Sequence, residues 1–232
     1  MKPIAVIPVY NEKTHIGSLL DRFPSDRCDL VVIDDGSTDG TSDEIRARRF
    51  PVIRHDGRSG VGKCLQDGIA YGQERGYDAI VVMAGNGKDD PREIPKLLDA
   101  IEQGADYAQG SRFMAGGEWK NLPWQRWMAI KILTLFWSLV FGRRMTDVTN
   151  GFRAYRMSLL ERPEVRWRQQ WLQTYEFEYY LHYRALRAGV AFQEVPVTKN
   201  YPSKTNYSKI RPGRDWICIL KPIFLLMTGI KD

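Results

Sequence analysis

Cysteine is scarce in this chain. Only Cys28, Cys64 and Cys218 occur in 232 residues. They form no C-x-x-C pair and show no metal-ligand spacing, so a disulfide framework is not expected and reduced thiols in a cytosolic setting are. The three histidines, His15, His55 and His182, do not cluster in sequence and are not read as ligands. No uninterrupted apolar run reaches the roughly 20 residues of a transmembrane helix. The N-terminus enters a strand-like run at once, so no signal peptide is expected. Internal repeats and low-complexity tracts are absent. Lysine and arginine give a net charge of +6 but form no single block. That excess favours an anionic partner, such as a phosphorylated small molecule or a membrane surface, and argues against a nucleic-acid tail.

What is there reads as one α/β unit organised around residues 79–91, A-I-V-V-M-A-G-N-G-K-D-D-P. The apolar run at 79–83 has the character of a fully buried strand. It breaks into a loop with two glycines, a lysine and adjacent carboxylates. Pro91 then opens a helical pattern over 91–103, at the position where proline is favoured. Earlier strands are expected at 4–8, 30–33 and 51–54, each followed by a helical pattern. Strands alternating with helices imply a mostly parallel sheet covered on both faces. Three polar strand-end loops, at 10–12, 34–39 and 85–90, then share one sheet edge, which is where such sheets bind ligands.

The second half changes character. Residues 107–112, Y-A-Q-G-S-R, read as a strand ending in an arginine. Trp119, Trp124 and Trp127 precede an apolar stretch at 127–142, broken only by Lys131, Thr134 and Ser138 and closed by Arg143 and Arg144. Aromatics and basic flanks around a helix of this length fit an interfacial membrane helix, the alternative being a buried core helix. Residues 216–227 repeat the pattern, with Pro222 as a kink. A helix at 175–188, a strand at 190–197 and a basic segment at 199–209 complete the chain. The expected organisation is a catalytic domain over 1–210, with the interfacial helix at about 121–142, and a C-terminal apolar segment over 211–232.

Residues 57–64, G-R-S-G-V-G-K-C, nearly match a phosphate-binding P-loop. Cys64 supplies no hydroxyl for magnesium and no aspartate ends the next strand, so a P-loop phosphotransferase is disfavoured. Gly60 and Gly62 are instead expected to let a helix start close to the sheet. Other motifs are more specific. P-V-Y-N-E at 8–12, V-I-D-D-G-S-T-D-G-T at 32–41, G-S-R at 110–112 and T-N-G-F-R-A-Y-R at 149–156 resemble the inverting family-2 glycosyltransferases of GT-A fold. The branch resembled comprises dolichol-phosphate mannosyltransferase and bacterial polyprenyl-phosphate glycosyltransferases.

The resemblance implies a Rossmann-like, mostly parallel sheet with amphipathic membrane-interface helices in the C-terminal half. It places Pro8, Tyr10, Glu12 and Asp35 in a nucleotide-sugar pocket, where carboxylates accept from ribose hydroxyls. Helix capping is the alternative for one of Asp34 and Asp35. The family's D-x-D metal motif falls on Ala84 and Asn86, with Lys88 two residues on. Mg2+ or Mn2+ binding is therefore expected to be weakened, with Asn86, Asp89 and Asp90 as a poorer ligand set. Lys88 is a candidate catalytic cation for the leaving diphosphate, and Asp90 joins it as a candidate catalytic residue. Arg112 and Arg126 match positions that contact the acceptor phosphate, with Lys131 compensating for Ile130 where the family often has a hydroxyl. Residues 206–209, N-Y-S-K, resemble a G-x-S-K segment, and Lys204 and Lys209 would close over the phosphates. Asp147 and Glu178 match acidic positions near the sugar.

The expectation is therefore a peripheral enzyme on the cytoplasmic face of a membrane, with a membrane protein as a further partner. It would transfer a hexose from GDP-mannose or a UDP-glucose type donor to a dolichyl or undecaprenyl phosphate, with inversion. A glycosyltransferase using a sugar hydroxyl, with Asp147 as general base, is one alternative. A non-catalytic nucleotide-sugar-binding protein is another.

Overall fold

The structure, a computed structural model, describes residues 1–201 and, beyond them, residues 221, 224–226 and 228. Lys204, Lys209, the 206–209 segment, Cys218, the domain boundary at 210 and most of the 216–227 segment lie outside the described residues.

The first half alternates as its periodicity predicts. Strand β1 (Pro3–Val9) leads to α1 (Lys13–Leu20), β2 (Asp29–Asp34) to α2 (Thr41–Ala47), and β3 (Val52–Arg54) to α3 (Val61–Glu74). Strand β4 (Ala79–Val82) is followed by a 3-10 turn (Pro91–Glu93) and then α4 (Ile94–Glu102), so the helix expected over 91–103 is split. The split has a local cause. The Asp90 carboxylate caps the Arg92 amide at 3.1 Å, and a second proline, Pro95, follows in the next turn.

The rest of the chain is β5 (Tyr107–Ser111), β6 (Glu118–Lys120), α5 (Trp124–Val140), β7 (Arg153–Arg156), α6 (Met157–Leu160), α7 (Glu176–Arg187), β8 (Phe192–Pro196) and β9 (Thr198–Asn200). Seven strands form one sheet in the order β3-β2-β1-β4-β7-β5-β8. It is parallel except for β7, which runs antiparallel between β4 and β5. Strands β6 and β9 pair separately. The strand expected over 190–197 is β8, at the edge of the main sheet, and the start of the basic segment expected from 199 lies in β9, which pairs with β6 instead.

Alternation along β1 builds two cores. Ile4 and Val6 face one side with α3, α7 and Trp137 of α5. Ala5 and Ile7 face the other with α1 and α4. Helices α1 and α3 therefore cover opposite faces, and the gap between the carboxyl ends of β1 and β4 is the topological switch point of the sheet. The glycines of α3 work differently from expectation. Gly68 and Gly72 seat the helix on the sheet, since a Cβ on Gly68 would lie 2.3 Å from Val6 Cγ1. Gly60 and Gly62 admit the backbone of residues 172–174 instead, where a Cβ on Gly62 would lie 2.3 Å from the Leu172 carbonyl oxygen.

Candidate active site

The three expected loops meet at the carboxyl edge of β1, β2 and β4. The Asn11 amide donates to Ser37 Oγ and the Glu12 amide to Thr41 Oγ1, each at 2.9 Å. The Gly85 amide donates to the Pro8 carbonyl at 3.2 Å. Gly85 is required there, because a Cβ would come within 2.3 Å of Val9 Cγ1.

Asp34 and Asp35 divide their work. Asp34 is fully buried, accepts from the Ser37 amide at 2.9 Å and pairs with Arg54 at 3.1 Å. It holds the loop's turn rather than capping a helix, the role weighed for one of the pair; Gly40 is the N-cap of α2. Asp35 lies at the start of α3, accepting from the Ser59 amide at 2.7 Å, the Gly60 amide at 2.9 Å and His55 Nδ1 at 3.0 Å. His55 reaches on to Asp67 through Nε2 at 3.0 Å. Nearby, the Arg58 guanidinium covers the Tyr10 ring at 4.6 Å. Tyr10, Glu12 and Asp35 thus share one edge of the sheet with Pro8 in β1.

The loop after β4 differs from a metal-binding loop. Asp89 is buried, and both its carboxylate oxygens accept from Lys199 Nζ, at 2.7 and 2.8 Å. Lys199 also donates to Asn150 Oδ1 at 3.0 Å. Both oxygens of Asp90 accept from Arg92, and Arg22 lies 3.5 Å away. Asn86 Oδ1 accepts from the Lys88 amide at 3.3 Å. The three expected metal donors therefore serve the chain itself. Asp90, expected as catalytic, caps the 3-10 turn. The Lys88 carbonyl accepts from the Asn200 amide at 2.8 Å, which ties the loop to β9. Burial, with Lys199 and Arg126 nearby, lowers the Lys88 ammonium to a pKa of about 8.

Arg112 is held within the chain. It is 1 % exposed, and its guanidinium grips Asp147 through Nε at 2.6 Å and Nη2 at 2.7 Å. It also donates to Thr149 Oγ1 at 2.6 Å and to the Tyr201 hydroxyl. Burial would raise the Asp147 carboxyl, but the Arg112 charge and hydrogen bonds outweigh it and hold it below the usual range. The pair therefore braces the site: Arg112 is taken up by Asp147, and Asp147 is neither exposed nor basic. Glu178 approaches the same region, where Gly151 leaves room for it; a Cβ there would lie 2.5 Å from Glu178 Oε1.

Cations instead gather on Tyr201. Lys88 Nζ lies 5.8 Å and the Arg126 guanidinium 5.5 Å from its ring centroid. Lys131 lies on Phe113 at 4.1 Å and near Trp127 at 5.8 Å. Both Arg126 and Lys131 belong to α5, whose Ile130, Thr134 and Trp137 are buried. Its other face leaves Trp124, Met128, Ile132, Leu135 and Leu139 in solvent, with Leu139 73 % exposed. Among the described residues no helix is long and apolar enough to cross a membrane. Sequence reasoning missed Lys199, Tyr201 and Asn150 as site residues. The local signals were a basic and an aromatic residue just after a predicted strand and, for Asn150, its place in the 149–156 motif.

Comparison with known proteins agrees with this geometry. The glycosyl transferase family 2 profile matches residues 4–162. The chain is 33 % identical over 205 residues to the polyprenol monophosphomannose synthase of Mycolicibacterium smegmatis, covering 85 % of this chain and 77 % of the relative. It is 34 % identical over 207 residues to the undecaprenyl-phosphate mannosyltransferase of Micrococcus luteus, covering 85 % and 83 %. Glucosyl-3-phosphoglycerate synthase from Mycobacterium tuberculosis, solved with Mn2+, UDP and phosphoglyceric acid, shares the fold. Its TM-score is 0.73 at 18 % identity, over 100 % of this chain and 80 % of that one. A buried β1–β4 edge of this kind, the profile match and the extent of these likenesses together establish that the chain is an enzyme of the glycosyl transferase family 2, with the GT-A architecture.

Proposed function

We propose that this enzyme transfers a hexose from a GDP- or UDP-sugar to a polyprenyl phosphate, with inversion, while docked on a membrane surface. One observation carries the reading. Lys88, on the donor loop, and Arg126, on α5, flank the same Tyr201 ring. A cation on the donor side and a cation on the apolar helix thus meet at one point, as a reaction between two phosphorylated substrates requires.

The chemistry needs little else. A polyprenyl phosphate is already anionic at neutral pH, so its oxygen attacks the anomeric carbon without a general base. The bond to the donor diphosphate breaks with its electron pair left on the diphosphate oxygen. Arg126 and Lys131 orient the acceptor phosphate, and the exposed face of α5 takes its place in the lipid. The mannosyltransferase relatives support this acceptor class. A hydroxyl acceptor would need Asp147 as base, and its burial against Arg112 favours the phosphate acceptor.

The test is to incubate the purified enzyme with labelled GDP-mannose, UDP-glucose and UDP-N-acetylglucosamine and a short polyprenyl phosphate. Label is expected in the organic phase with one donor. Transfer to a soluble sugar alcohol but never to the lipid phosphate would overturn the reading.

A further inference from the structure

The family resemblance implies a divalent ion on the donor diphosphate, and the residues present do not fit one. Ala84 offers no side-chain donor atom and Asn86 offers a neutral amide, where an oxygen-ligand site wants carboxylates. Asp89 holds an ammonium on both oxygens, so an ion placed there would meet Lys199 at close range. Asp90 is held by Arg92 and faces Arg22. Among the described residues, one trio of His, Cys, Asp or Glu brings its ligand atoms within 4.8 Å, namely Asp35, His55 and Cys64. It belongs to the β2 and α3 ends rather than to the β4 loop. Both His55 nitrogens there are already engaged by carboxylates.

We propose that Lys88, backed by Lys199, takes the place of a divalent cation on the leaving nucleoside diphosphate. The proposal rests on the nucleotide-sugar reading above. Among the described residues no carboxylate ion-pairs with Lys88, although Asp89 and Glu12 are near enough to be felt. The loop backbone that carries it is pinned at Asn200, and the Asp89–Lys199 pair pins the next residue. Lys88 is therefore a fixed charge on the edge where the leaving group forms. When the anomeric bond breaks, the diphosphate gains one negative charge and the acceptor phosphate loses one on becoming a diester. A single ammonium matches that one-charge change. Lys199 is a positioning residue: it occupies Asp89, keeps that carboxylate from neutralising Lys88, and adds its own field.

The test measures binding of UDP and GDP to the intact protein by calorimetry, without acceptor, in EDTA and again with Mg2+ or Mn2+. One nucleotide is expected to bind with an affinity that chelation leaves within about threefold, a shift well under one charge-assisted bond. Lys88→Ala should weaken it about tenfold or more, and Lys88→Arg should keep most of it. Circular dichroism confirms that the variants fold, and the metal comparison on the unaltered protein needs no variant. Binding abolished by EDTA and restored by Mn2+, or binding indifferent to Lys88→Ala, would overturn the proposal, as would no binding of either nucleotide. Failure of the lipid acceptor alone leaves these measurements unchanged, so the two readings fail separately.

Discussion

At the β1, β2 and β4 edge, Asp34, Asp35 and Asp89 are buried and each is satisfied by donors within the chain. On the outer face of α5, Ile132, Leu135 and Leu139 stand largely in water. The first region has its energy invested internally, so its polar atoms hold a fixed shape before any ligand arrives. The second leaves apolar surface exposed in the folded chain, and a lipid phase is where that surface becomes favourable. On the proposed function, the preorganised polarity would recognise a soluble, charged donor and the exposed apolar surface would serve a lipid acceptor.

The sharpest way to break the contrast is at the buried pair. Asp147→Ala leaves the Arg112 guanidinium buried without its carboxylate and should cost about 3–5 kcal/mol. Urea unfolding would show it, and a loss below about 1 kcal/mol would mean that Arg112 is not braced as described. Arg112→Ala should likewise act on stability and on both substrates together. Arg126→Ala should instead raise the KM for lipid phosphate about tenfold or more, with a small effect on the donor, because it removes one charge-assisted contact. Equal effects on both substrates would count against that division.

On the other side of the comparison, Leu135→Ser with Leu139→Ser should leave folding stability within about 0.5 kcal/mol each, as surface changes do. Binding to anionic vesicles should fall tenfold or more, since each leucine contributes up to about 1.5–3 kcal/mol when fully withdrawn from water. Sedimentation with vesicles, with salt varied to expose the electrostatic share, measures this. Unchanged vesicle binding would detach α5 from the membrane.

The smallest expected effect is a pH dependence. Burial with Lys199 and Arg126 favours the neutral form of Lys88, while Asp89 and Glu12 oppose the shift, and the ammonium titrates at about 8. A bound diphosphate favours the charged form. Nucleotide affinity should therefore be flat below pH 8 and fall as pH rises through it, by up to about tenfold per unit. Calorimetry in buffers of different ionisation enthalpy should show proton uptake above pH 8, and Lys88→Ala should abolish it. A flat profile in the unaltered protein would show that Lys88 does not meet the phosphates.

The sequence by itself determined the alternation of strands and helices, the three loops on one edge and the apolar helix, because each is written in local periodicity and turn residues. Four motifs in order also pointed to the family. The pairing of the charged side chains was decided by the tertiary structure alone. Asp89 and Lys199 are 110 residues apart, and Arg112 and Asp147 are 35 apart. Nothing local marks Asp89 as Lys199's partner, or Arg112 as Asp147's. Whether a carboxylate meets a cation, a ligand or water depends on which strands end beside it and how deeply it is buried. The departure of β9 from the main sheet illustrates this. By pairing with β6, β9 carries Lys199 to Asp89, and Tyr201, next after it, brings its ring near both Lys88 and Arg126.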